Sequence, residues 1–79
     1  MKQYIATFFS HFGAVRFQRL CAERGYEAQL APVPRSLSSS CGTCVRYEGG
    51  CPDAPPEEVE QIVEVTPGGY RRLYRAENS

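Results

Sequence analysis

Cys41-Gly42-Thr43-Cys44 closes a loop that opens Pro32-Val33-Pro34-Arg35 and runs on through Ser36, Leu37, Ser38, Ser39 and Ser40. A cysteine acts as nucleophile or metal ligand through its thiolate, so the surroundings of the sulfur decide its use. This loop is longer than a hairpin needs. Two prolines stiffen its start, and Gly42 lets the backbone beside the sulfur take positive φ. The hydroxyls of Ser39 and Ser40 and the loop amides can point at an anion, and Arg35 adds a fixed positive charge. Together these features favour a nucleophilic Cys41. The same residues also read as a solvated, serine-rich turn ending in a buried, inert cysteine. The Pro-x-Pro-Arg prefix and the exposed location weigh toward chemistry.

Other thiol chemistries compete. Cys41 and Cys44 have the Cys-x-x-Cys spacing of thiol oxidoreductases, which makes Cys44 a candidate second thiol. A disulfide wants Cα atoms within about 7 Å, whereas three residues of extended strand span about 10 Å. The pair closes only if Gly42-Thr43 turns, so redox catalysis ranks below single-thiol chemistry and Cys44 reads as an ordinary strand residue. Zinc could draw on Cys41, Cys44, Cys51 and His11. There is no second Cys-x-x-Cys, and the expectation is no metal. Cys21 falls on an apolar helical stripe and reads as core.

The elements that must position Cys41 follow from the pattern. Tyr4–Phe9 is aromatic and β-branched, which predicts a strand. Ser10 is a candidate N-cap for a helix over 12–24, where Ala14, Phe17 and Cys21 recur at helical spacing. Gly25 suits its C′ position. Tyr26, Ala28 and Leu30 alternate with polar residues as a second strand, and Pro32 and Pro34 mark that strand as a sheet edge. Thr43–Glu48 predicts a third strand. Gly49–Pro56 is a breaker segment. Val59, Ile62 and Val63 have the spacing of a second helix starting near Pro56, with Glu57, Glu58, Glu60 and Glu64 on its wet face. Pro67, Gly68 and Gly69 would end it. Tyr70–Arg75 predicts the last strand, and the tail from 76 to 79 is expected to fray.

Strand, helix, strand, strand, helix, strand is a βαββαβ order, so the expected fold is α+β and ferredoxin-like. Its sheet would have four antiparallel strands in the order 4-1-3-2, with both helices on one face. Such a fold sets Cys41 near Ser10 and His11, at the N-terminus of the first helix. It sends Cys51 to the opposite end, about 20 Å away along six strand residues.

The 79 residues suit a single domain, 1–79. Nine basic and nine acidic side chains balance. With no net positive field, neither nucleic acid nor a membrane surface is an expected partner. Arg71, Arg72 and Arg75 read as a solvated strand end. No run approaches the ~20 apolar residues of a membrane span, and no signal peptide is legible. Four cysteines in such a chain, three of them clustered, then point to a reducing, cytoplasmic setting. So short a chain fits a carrier, a binding module or a subunit better than a complete enzyme with a deep pocket.

The loop resembles that of the selenium/sulfur carrier-like domain family of small prokaryotic proteins. The resemblance lies in Pro32-Val33-Pro34-Arg35 and Ser39-Ser40-Cys41-Gly42. Phe8, Ser10, Ala14 and Gly25 match around it, and the likeness covers roughly residues 3 to 75. It implies that Cys41 accepts sulfur or selenium as a persulfide or perselenide, with Arg35, Ser39, Ser40, Gly42 and Ser10 supporting the anion. No cofactor is implied. The implied partners are a donor, such as a cysteine desulfurase, and an acceptor enzyme. Gln18 stands where the family pattern leads one to expect an acidic residue, and Cys21 and Cys44 stand at apolar positions. The alternative from a different class is a non-catalytic interaction or regulatory module.

Overall fold

A computed structural model describes residues 2–37, 39–49 and 56–76. The elements are β1 (Gln3–Phe8), α1 (His11–Glu23), β2 (Ala28–Pro32), β3 (Thr43–Glu48), β4 (Val59–Thr66) and β5 (Gly69–Arg75). The five strands form one sheet in the order β2-β3-β1-β4-β5, with every neighbouring pair antiparallel. This corrects the ferredoxin-like expectation. The stretch read as a second helix from Pro56 is strand β4. It lies between β1 and the last strand, and α1 is the one helix among the described residues.

The reason is chemical. Val59, Ile62, Val63, Val65 and Thr66 are β-branched, and such side chains lose rotamer freedom in a helix but pack well on a pleated sheet. The register also explains the misleading spacing. Thr7 pairs with Gln61 and Phe8 with Val59, so Glu60 is one residue too many on β4. A bulge of this kind resets the alternation of side chains. Val59 and Ile62 therefore enter the same core although they are three apart. The Pro67-Gly68 turn then returns the chain as a hairpin, with Thr66 opposite Gly69.

The strand–helix–strand–strand order of the first half is present. Ser10 caps α1 by accepting the Gly13 N–H at 3.2 Å. At the other end Gly25 takes φ 80°, Tyr26 N–H donates to the Cys21 carbonyl and Gly25 N–H to that of Ala22. That pair of bonds is a Schellman cap. Ala14, Phe17 and Cys21 face the sheet. Phe17 packs edge-on against Tyr47 and tilted against Phe8, each with ring centroids 5.3 Å apart. Gly13 lets the segment before β4 pass close: a Cβ there would lie 2.5 Å from Glu58 Cβ.

β1 is buried on both faces. Tyr4, Ala6 and Phe8 join the main core under α1, while Ile5 joins a second cluster with Cys44 and Val63. Val33 and Leu37 pack on that second cluster. The long loop thus folds back as a cover for the far face of the sheet. Among the described residues no helix is long and apolar enough to cross a membrane.

Candidate functional site

The loop between β2 and β3 closes on itself through the Val33 N–H, which donates to the Gly42 carbonyl at 3.1 Å. Leu37 N–H donates to the Pro34 carbonyl, making a turn inside it. Ser39 Oγ donates to the Phe8 carbonyl at 3.3 Å and accepts the Cys41 N–H at 3.2 Å. His11 Nδ1 lies 3.2 Å from Thr43 Oγ1. These bonds bring the end of the loop beside the junction of β1 and α1, where the Ser10 cap also sits.

Ser40 turns the other way. Its N–H and hydroxyl both donate to the Glu60 carboxylate, at 3.2 and 2.9 Å, and the Thr7 hydroxyl donates to the same group at 3.3 Å. Glu60 is the bulge residue of β4, so the irregularity that broke the helical reading also aims this side chain at the loop. The helical spacing of 59–63 places Glu60 on the wet face of a helix instead. The available signal was the β-branched content of 59–66, which would have made it a strand residue.

The predicted site residues are therefore not all free to act on an anion. The Cys41 amide and the Ser39 hydroxyl are bound to each other, and both Ser40 donors go to Glu60. Ser10 is engaged as the helix cap. Arg35 is exposed. Gly42 is not among the glycines with positive φ, and nothing lies within 4 Å of where its Cβ would be. Its expected backbone role is corrected accordingly.

The cysteines divide by environment. Cys41 is half-buried, whereas Cys21 and Cys44 are buried, and all three are free thiols. Cys44 is fully enclosed in the second cluster, and its Sγ approaches the Pro32 carbonyl at 3.6 Å. Burial pushes the Cys44 thiol up, with Arg46 opposing. Burial pushes the Cys21 thiol up as well, with Arg24 opposing. Cys51, which the zinc reading requires, lies outside the described residues.

A groove of about 670 Å³ lies on the far face of the sheet, against the loop. Ser36 and Leu37 form one wall, and Glu60, Val63, Tyr70, Arg72 and Arg75 of the β4–β5 hairpin form much of the rest. Neither Arg72 nor Arg75 has a carboxylate within salt-bridge distance among the described residues.

A curated relative is the "Uncharacterized protein YtiA" of Escherichia coli (strain K12), 27% identical over 74 residues, covering 94% of this chain and 79% of the relative. No solved structure matches the chain. The family model described as "Putative Se/S carrier protein-like" matches residues 3–75, and by that match the chain belongs to this family.

Proposed function

We propose that the protein carries a sulfur or selenium atom on Cys41, receiving it from a donor persulfide or perselenide and passing it to an acceptor protein. The supporting observation is the contrast between the thiols. Cys41 is half-buried on a loop pinned to β1 and β4, while Cys21 and Cys44 are enclosed in the core with thiols that burial holds protonated. Family membership supports the same reading.

The step balances without an added oxidant or reductant. The Cys41 thiolate attacks the outer sulfur of a donor R–S–SH. The donor S–S bond breaks, R–S⁻ leaves with the electron pair, and Cys41–S–SH forms. Release to an acceptor thiolate is the same reaction in reverse sense. The terminal group loses its proton readily, and the exposed Arg35 is the cation of the loop that would meet the resulting –S–S⁻. Ser39, Ser40 and Ser10 act one step back. They fix the loop and the helix start. The buried Cys44 is not the resolving thiol of a redox pair, because forming that bond would mean pulling it from the core.

The test is persulfide trapping. The purified protein is incubated with a cysteine desulfurase and free cysteine, blocked with an alkylating reagent, digested and read by mass spectrometry. The expected result is one added sulfur on the peptide bearing Cys41, absent from Cys41→Ser and undiminished in Cys44→Ala. Sulfur spread evenly over the cysteines, or absent under conditions that load a known carrier, refutes the proposal and favours a non-catalytic module.

A further inference from the structure

The far face of the β4–β5 hairpin carries two arginines whose charge no acidic side chain among the described residues neutralises. Antiparallel pairing sets Arg72 opposite Val63 and Arg75 opposite Gln61, and all four residues line the groove beside the loop. Both arginines are exposed, and neither has an acidic partner among the described residues. Glu60 lines the same groove, but its carboxylate is already held by Ser40 and Thr7. β5 is also an outer strand of the sheet, seven residues long, and it contains no acidic residue and no proline. An outer strand of that length presents unpaired backbone donors and acceptors, a ready template for another strand. Tyr70 and Leu73 on it are large, apolar and exposed.

We propose that β5 and the adjoining groove form a docking surface for an extended, acidic segment of a partner protein. The segment adds as a strand at the β5 edge, and its carboxylates reach Arg72 and Arg75. Charge decides the class of occupant. A second copy of this chain pairing β5 with β5 would set a strand with three arginines and no acidic residue beside its like, and like charges facing across strands are destabilising. Pairing β5 with the opposite edge, β2, would meet Pro32, which cannot donate to a ladder. At about 670 Å³ the groove is larger than an inorganic anion needs and is of the size that holds several side chains. The surface adjoins Ser36 and Leu37, so a partner seated there lies against the loop that carries Cys41. The proposal does not depend on sulfur chemistry at Cys41. A failure of persulfide trapping leaves it standing, and the reverse also holds.

The test uses the full chain, isotope-labelled, titrated with a short synthetic peptide of alternating threonine and glutamate and followed by amide chemical shifts and hydrogen exchange. The expected result is shift changes at 69–75 and at Ser36 and Leu37, with slowed exchange along β5. Each arginine changed to alanine should weaken binding about two- to fivefold, the worth of an exposed ion pair. Arg72→Glu with Arg75→Glu should abolish it, Arg19→Glu on the exposed side of α1 should leave it unchanged, and added salt should weaken it. Several results overturn the proposal. These are equal binding of a matched peptide of alternating threonine and lysine, the same shifts with inorganic phosphate alone, concentration-dependent self-association through β5 without peptide, or binding indifferent to the Arg72 and Arg75 changes.

Discussion

Glu60→Ala is the sharpest perturbation of the structure around Cys41. The native carboxylate accepts from the Ser40 amide, the Ser40 hydroxyl and the Thr7 hydroxyl. Ser40 is exposed, so water replaces much of what its two bonds contribute. Thr7 is fully buried, and no other partner of its hydroxyl is present among the described residues. A buried hydroxyl stripped of its acceptor costs about 1–3 kcal/mol, and charge-assisted bonds to a half-buried carboxylate add to that. The expected loss is about 2–3 kcal/mol, a fall in Tm of about 10–20 °C for a domain of this size. Because the bonds tie the loop, local effects should exceed the global one: the Ser40 and Cys41 amides should exchange faster, and Cys41 should alkylate faster. Thr7→Val is the control. It removes the buried hydroxyl together with its need for an acceptor and leaves Ser40 bound, so it should cost under about 1 kcal/mol. Urea unfolding, residue-resolved alkylation and hydrogen exchange read these effects. Unfolding of Glu60→Ala within about 0.5 kcal/mol of the native protein, or unchanged exchange at Ser40, would refute this role for Glu60.

Three further outcomes follow from the packing. Gly13→Ala should destabilise the protein by about 1–3 kcal/mol in urea unfolding, although alanine is the better helix former, because the new methyl collides with Glu58 Cβ. Phe8→Ala should cost about 3–5 kcal/mol, as its ring is fully buried against Phe17 at the centre of the core. The raised Cys21 and Cys44 thiols set an alkaline limit. Native protein keeps these protons where the unfolded chain has begun to lose them, so their contribution is complete below the unfolded thiol pKa of about 8.5 and is lost as pH rises through the higher folded values. Unfolding followed from pH 7 to 10 should show that decline, and a Cys21→Ala/Cys44→Ala variant should show a shallower one.

What the sequence makes legible here is what short-range chemistry decides. Ser10, the Ala14–Phe17–Cys21 stripe and Gly25 specify α1 from cap to cap, and each acts where local periodicity predicts. The second half misleads because its decisive feature is not local. Val59 and Ile62 share a core three residues apart only because Glu60 is extruded as a bulge, and that bulge exists only in the pairing with β1. A helix gives the same spacing by turning. The β-branched content of 59–66 and the Pro67-Gly68 turn between that run and the aromatic Tyr70–Arg75 segment signal a hairpin, against the three-and-four spacing of Val59, Ile62 and Val63. The site shows the same division. The loop and Cys41 are visible as a motif, whereas Glu60, twenty residues beyond Ser40, becomes part of it only through the sheet.

The loop is also a piece of core, and this constrains how Cys41 can work. Val33 and Leu37 pack on Ile5, Cys44 and Val63, so lifting the loop would expose that cluster as well as break its hydrogen bonds. Fully burying one side chain such as Ile5 contributes about 1.5–3 kcal/mol, a large share of what stabilises so short a chain. A long swing of the loop toward a distant acceptor is therefore disfavoured. On the proposed carrier reading, donor and acceptor would come to Cys41, approaching over the loop and the neighbouring sheet face. On the loop's open flank stands the β4–β5 hairpin with Arg72 and Arg75, built from the stretch that a second helix would otherwise have claimed. The same departure from a helix thus supplies both the Glu60 anchor that holds the loop still and the charged surface beside it.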